Sequence, residues 1–332
     1  MNTPQQAPAL SPTPSPAGGR GEFPPISPRP RRGEGQGERG CGDSEKPGAI
    51  DQSPSALSPN PSPASGRGES VGKVWFVGAG PGDPDLITVK GRKLVESAGA
   101  ILYAGSLVSE AALAWAREDC EIADSRDMAL EAITDWLIER AQRHATVVRL
   151  QTGDPSLYGA LTEMVQPLDA AGIEVGVVPG VSSALASAAA AVESLTLPEV
   201  TQTVILTRVA GRTPMPEGES LAALAQHHTT LCIFLSITLL ETVQNELRAA
   251  GWADDAPVLV VHKASWPGEE QIVRGTLATI RDLCQSAKIR HQAMIIVSPA
   301  LGSRHWPELT KSRLYDAAFA HRFRRADKEN AT

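Results

Sequence analysis

From Lys73 onward, short apolar runs alternate with longer segments in which apolar residues recur every three or four positions. Val74-Trp75-Phe76-Val77, Ala100–Tyr103, Thr146–Leu150 and Ile173–Val178 have the length of buried strands, and Glu121-Ile122-Ala123 adds a shorter one. Between them the spacing predicts helices. One runs from Thr88 through Leu94 and Val95, and a second covers Ser109–Ala116 with Ser109 as N-cap. A third covers Ala129–Arg143, with Ile133, Trp136, Leu137 and Ala141 on one face, and a fourth covers Leu157–Ala171 up to Gly172. An alanine-rich helix opens after Val181-Ser182-Ser183 and reaches about Ala191. Beyond it the alternation returns. Strands are expected at Thr203–Arg208, Thr230–Leu235, Pro257–His262, Gln271–Gly275 and Ala293–Val297, and helices at Ser220–Gln226, Leu239–Ala250 and Thr276–Cys284. Alternation of this kind implies α/β architecture with mainly parallel or mixed sheets flanked by helices.

The first 70 residues have no such pattern. Proline and glycine fill 25 of these 70 positions, too few apolar groups remain to offset ordering entropy, and a disordered extension over 1–71 is expected. Leu10–Glu22 returns as Leu57–Glu69 with 11 of 13 residues identical. A Pro-rich ligand for a partner domain is one reading of this segment, and a plain appendage is another. A third is translated upstream sequence before a start near Val71, which mass spectrometry of the native amino terminus distinguishes. The expected organisation then continues with an α/β domain at 72–175, a second at 176–318, and a flexible tail at 319–332. The tail cluster His321-Arg322-Phe323-Arg324-Arg325 reads as a solvated end.

Composition narrows the function. With a net charge of −7 and 4% aromatic residues, neither nucleic acid nor an anionic membrane is an expected partner. No apolar run is long enough to span a membrane, and the amino terminus lacks the apolar core of a signal peptide. Cys41, Cys120, Cys232 and Cys284 are far apart, so neither a metal site nor a disulfide framework is expected and a reducing cytoplasm fits.

Candidate chemistry concentrates where the first strand breaks into Gly78-Ala79-Gly80-Pro81-Gly82-Asp83. A strand, a glycine-rich turn and a helix place a ligand at the strand's carboxyl end. The dinucleotide fingerprint G-x-G-x-x-G would require glycine where Asp83 stands, and Pro81 removes an amide donor from the turn. The second strand ends at Tyr103 without an acidic residue for a ribose, and no P-loop lysine follows. A pyrophosphate cradle is thereby disfavoured. His227-His228 are adjacent at a helix end and point in different directions, so they make a poor base or metal pair.

The longer stretch Gly78–Thr88 (GAGPGDPDLIT), with Thr152–Gly159 (TGDPSLYG) and Val178–Ala184 (VPGVSSA), resembles the tetrapyrrole methylase family over about Lys73–Arg304. The resemblance implies a two-domain fold with S-adenosylmethionine in the cleft between domains. Leu102–Val108, Thr207–Pro216 and Val260–Pro267 are similar to the branch that acts at C-11 of precorrin-4 in the cobalamin (vitamin B12) pathway. The uroporphyrinogen-III branch usually carries methionine where Leu235 stands.

By this resemblance Pro81, Thr152, Gly153, Asp154 and Leu157 line the cofactor from the first domain, and Ser182, Ser183, Leu235 and Ala264 from the second. Asp154 is expected to accept hydrogen bonds from the cofactor's amine or hydroxyls, with a loop cap before Pro155 as the alternative. For Leu235 the alternative is a core residue, since a buried strand needs leucines anyway. Arg208, Arg212 and Lys263, near strand ends, are candidates for the carboxylates of a tetrapyrrole or for surface ion pairs. No general base is assigned: a sulfonium donor is already activated, and alignment alone contributes about 7–11 kcal/mol. Homodimers are usual for relatives. Methylation at another ring carbon, methylation of a protein or RNA target, and non-catalytic binding of cofactor or tetrapyrrole stay open as rivals.

Overall fold

The structure is a computed structural model that describes residues 71–309, 312–315, 319–320 and 322–325. The Pro-rich extension, its repeat, Cys41, His321 and most of the tail lie outside the described residues. The described residues all belong to one compact unit.

Its first sheet comprises β1 (Lys73–Gly78), β2 (Ala100–Tyr103), β3 (Glu121–Asp124), β4 (Thr146–Gln151) and β5 (Val175–Val178). They are ordered β3-β2-β4-β1-β5 and all parallel, with Trp75 opposite Val148 and Phe76 opposite Val177. Parallel strands need crossovers, and the crossovers cover both faces. Val74 and Phe76 pack with Leu137, Met164 and Leu168 on one face, whereas Val77 packs with Val95, Ile101, Val148 and Leu150 on the other. The covering helices are α1 (Val89–Ser97), α2 (Leu130–Ala141) and α3 (Leu161–Ala170). Thr88 caps α1, accepting from the Gly91 N–H at 3.0 Å.

The second sheet is mixed. After α4 (Ser183–Ala191) come β6 (Val204–Arg208), α5 (Leu221–Ala225), β7 (Thr230–Phe234), α6 (Leu240–Ala249), β8 (Pro257–His262), β9 (Gln271–Thr276), α7 (Ile280–Ser286) and β10 (Ala293–Val297). The order is β6-β7-β10-β8-β9, parallel between β6 and β7 and antiparallel elsewhere. Residues of α5, α6 and α7 bury one face, while Ala184, Ala188 and Ala191 of α4 approach the other closely.

Three expected helices need correction. Ser109 does cap a helix, but Glu110–Leu113 makes only a short 3-10 segment, because the Ala112, Ala114 and Ala116 N–H groups close onto carbonyls three residues back rather than four. The helix expected from Leu157 begins at Leu161, since Tyr158 and Ala160 adopt positive φ of 57° and 49°. The helix expected from Thr276 begins at Ile280, because Thr276 still belongs to β9. The strand β5, across which the expected 175/176 boundary falls, pairs with β1, so the first sheet runs to Val178.

Candidate active site

The carboxyl ends of the first sheet meet backbone to backbone. The Gly153 N–H donates to the Gly80 carbonyl at 2.7 Å, and the Ala79 N–H to the Gln151 carbonyl at 2.7 Å. A Cβ on Gly180 would stand 2.0 Å from the Gly153 oxygen, and one on Gly78 would stand 2.5 Å from it. Glycine at these two positions is therefore a matter of space, whereas Gly80 and Gly153 are also in the left-handed region at φ 81° and 60°. Asp83, which breaks the dinucleotide pattern, has a task of its own: its carboxylate accepts from the Asp85 N–H at 2.9 Å and caps the 3-10 turn Pro84–Leu86.

Asp154 locks two of these loops together. One oxygen accepts from the Ser156 N–H at 2.9 Å and from the Ser156 hydroxyl; the other accepts from the Gly180 N–H at 2.9 Å. Partial burial pushes its pKa upward, but the hydrogen bonds from Ser156 and Gly180 outweigh it and hold the carboxyl below its ordinary value. The loop-cap alternative raised from the sequence is thus a real part of its role.

The facing wall comes from the second sheet. Ser182 caps α4, accepting from the Ala184 N–H at 3.3 Å. Leu235, at the end of β7, is 65% exposed with φ 54°, which rules out the core-residue alternative. Between the two walls lies a cavity of about 360 Å³. Pro81, Thr152, Gly153, Asp154 and Leu157 line it from the first sheet's loops, and Ser182, Ser183, Leu235 and Ala264 from the other side. All nine positions expected around a cofactor surround this one space.

The cationic candidates separate. Lys263 lines the same cavity, but its ammonium pairs with Glu269 and lies over the Trp266 ring at 4.8 Å. Arg208 and Arg212 line a second cavity of about 620 Å³ that shares Leu235 and Thr238 with the first. The Arg208 guanidinium donates to the carbonyls of Thr213 at 3.2 Å and Pro214 at 2.7 Å, so it braces the loop after β6. Arg212 is exposed on that loop. His227 and His228 follow α5 away from both cavities, with His228 stacked on Trp252 at 5.3 Å.

Several lining residues had escaped the sequence reading. Tyr158 meets Phe234 across the cavity with ring centroids 5.2 Å apart, and Arg290, His291 and Gln292 join from the segment before β10. Tyr158 and Trp266 stand inside quoted motifs, which was their signal. Arg290–Gln292 offered none, since only the sheet order brings the start of β10 beside the end of β8.

Residues 73–281 match the model of the family Tetrapyrrole (Corrin/Porphyrin) Methylases. The chain belongs to the tetrapyrrole methylases. It is 46% identical over 256 residues to a cobalt-precorrin-4 C(11)-methyltransferase of Priestia megaterium, covering 77% of this chain and 99% of that one. An X-ray structure of a cobalamin biosynthetic enzyme, cobalt precorrin-4 methyltransferase, superposes with a TM-score of 0.67 at 48% identity, covering 69% of this chain and 95% of that one. A uroporphyrin-III C-methyl transferase of Thermus thermophilus, complexed with S-adenosyl homocysteine, gives 0.59 at 30% identity, with 70% and 94% covered. Among the described residues of this tetrapyrrole methylase, no helix is long and apolar enough to cross a membrane.

Proposed function

We propose that this chain transfers a methyl group from S-adenosylmethionine to C-11 of precorrin-4, giving precorrin-5 and S-adenosylhomocysteine in cobalamin biosynthesis. One observation carries the reading: nine residues from five separate stretches surround a single cavity in a chain 46% identical to a cobalt-precorrin-4 C(11)-methyltransferase along 99% of that relative's length.

The lining fits the donor. Gly153 exposes bare backbone, Thr152, Ser182 and Ser183 offer hydroxyls, and Leu157 and Leu235 offer apolar surface. A cavity of this size and mixed lining suits a small cofactor with both polar and apolar parts. When bound, the donor supplies an activated methyl on a sulfonium centre. The chain's own task is to hold that methyl in line with a nucleophilic carbon, and a misplacement of about 1 Å can cost about a hundred-fold in rate. The loop lock at Asp154 serves this by fixing Thr152–Leu157 against Gly180. The second cavity, with Arg212 on its rim, is the place for the macrocycle. Its neighbour Leu235 lies between the two spaces, where donor and acceptor must meet.

In this reading the part through β5 and the part after it act as the two domains that wall the cleft, and the protein works in the cytoplasm as a homodimer; light scattering in solution tests the dimer. The activity itself is tested by incubating residues 71–332 with methyl-labelled donor and precorrin-4, cobalt-precorrin-4 or uroporphyrinogen III. Label is expected in either precorrin-4 form, and the pair of precursors decides whether cobalt is already present on the substrate. Label entering uroporphyrinogen III alone overturns the proposal, and donor binding without transfer to any tetrapyrrole makes the chain a binding module.

A further inference from the structure

The loop between β8 and β9 does more than present Ala264 to the cavity. It reaches across and holds the opposite wall. The Trp266 indole N–H donates to the Pro81 carbonyl at 3.0 Å, and the Ser265 hydroxyl accepts from the Asp83 N–H at 3.0 Å. Between these bonds Gly82 lies flat against the indole: a Cβ there would stand 2.0 Å from the ring. The contact joins residues 185 positions apart, and it links one cavity-lining residue of each wall, Pro81 and Trp266.

The loop that makes this reach is held in an unfavourable conformation. Lys263 and Ser265, on either side of Ala264, have φ of 47° and 67°. Non-glycine residues stay in this region only where their surroundings over-determine them. The surroundings here are the Lys263 N–H bond to the Gln292 carbonyl at 2.8 Å, the Ser265 N–H bond to the Glu270 carboxylate at 2.6 Å, and the clasp itself. A strained loop fastened at its tip has a defined position, so the distance between the Pro81 and Ala264 walls is set by the clasp.

We propose that Trp266 is a positioning residue for the methyl donor: through its bond to Pro81 it sets the width of the donor cavity, without itself taking part in the chemistry. This rests on the donor reading of the cavity. Loosening the clasp then weakens the donor's grip more than it lowers turnover at saturation, because a saturating donor closes the walls on itself.

The test uses Trp266→Phe, which retains a ring and removes the N–H, together with Gly82→Ala, which wedges the ring away, and Ser265→Ala, which removes the second bond. S-adenosylhomocysteine affinity is measured by calorimetry on the full chain and on each variant, beside thermal unfolding, the KM for donor and kcat. Each variant is expected to bind about three- to ten-fold more weakly, the effect of losing one partly buried hydrogen bond. KM for the donor should rise in parallel while kcat changes less. Wild-type affinity in all three variants overturns the proposal, whatever happens to their unfolding temperature. Equal loss of kcat at unchanged KM overturns it too. If Trp266→Phe unfolds, Ser265→Ala decides: weaker binding at unchanged unfolding temperature supports the clasp, and unchanged binding sinks it. Failure of the unaltered chain to bind S-adenosylhomocysteine is a separate result, which removes the donor reading and the clasp's role with it.

Discussion

The Asp154 carboxylate accepts the Gly180 N–H at 2.9 Å, joining the loop after β4 to the loop after β5 beneath the Gly78 turn. Residues 26 positions apart thus become one rigid floor, and the floor's other contacts leave no room for a Cβ at Gly180. A carboxylate engaged this way is a structural clamp at the edge of the first cavity.

Asp154→Asn should therefore weaken both donor binding and the fold. Loss of a charge-assisted lock costs about 1–2 kcal/mol. The carboxyl sits below its ordinary value in the folded state, so its contribution is present above the unfolded carboxylate's pKa and is lost as pH falls through the depressed one. Urea unfolding followed from neutral pH to below about pH 4 should show a shallower acid loss in Asp154→Asn than in the unaltered chain. Identical acid limbs would show that Asp154 is not a clamp.

Leu235 offers the opposite balance. Its φ of 54° and 65% exposure mean that the fold gains little from the side chain and tolerates strain to place it. Leu235→Gly relieves that strain, so stability should hold or rise by up to about 1 kcal/mol while donor affinity and rate fall. Leu235→Met, of similar volume, should retain binding. A Leu235→Gly variant that is clearly less stable would contradict this account.

Arg208 and Arg212 should behave differently although four positions apart. Arg208→Ala removes the brace on the Thr213 and Pro214 carbonyls and should lower stability and substrate affinity together. Arg212→Ala, on the exposed rim, should leave unfolding unchanged and raise the KM for the tetrapyrrole by about ten-fold, an effect that shrinks at high salt. Steady-state kinetics at two ionic strengths separate these outcomes.

The thiols give a check on the core. Burial pushes Cys232 to about 12 and Cys284 to about 11, and it also raises half-buried Cys120. In a Cys41→Ser background at pH 8, an aromatic disulfide reagent should react slowly with Cys120 and leave Cys232 and Cys284 unlabelled until the chain unfolds. Prompt labelling of either buried thiol would show that the second sheet opens far more readily than its packing implies.

Much of this was legible in one dimension because its causes are local. Runs such as Ala100–Tyr103 are buried on every side, and a run of that length has few other uses, so β2 was found at its expected ends. The apolar spacing expected from Thr88 matches α1, and the motif glycines marked the strand ends that crowd together at Gly78, Gly153 and Gly180. The family resemblance then placed nine residues around one cavity. What the tertiary structure decided is set by contacts between distant segments. The order β6-β7-β10-β8-β9 brings Arg290–Gln292 beside Lys263, and Trp266 reaches Pro81 across 185 positions. Long-range packing likewise sets the Tyr158 ring 5.2 Å from that of Phe234 and buries Arg149 within β4 against the Ser125 hydroxyl at 2.8 Å. Local propensity carries no record of such contacts, because each depends on where a second, remote stretch of chain comes to rest.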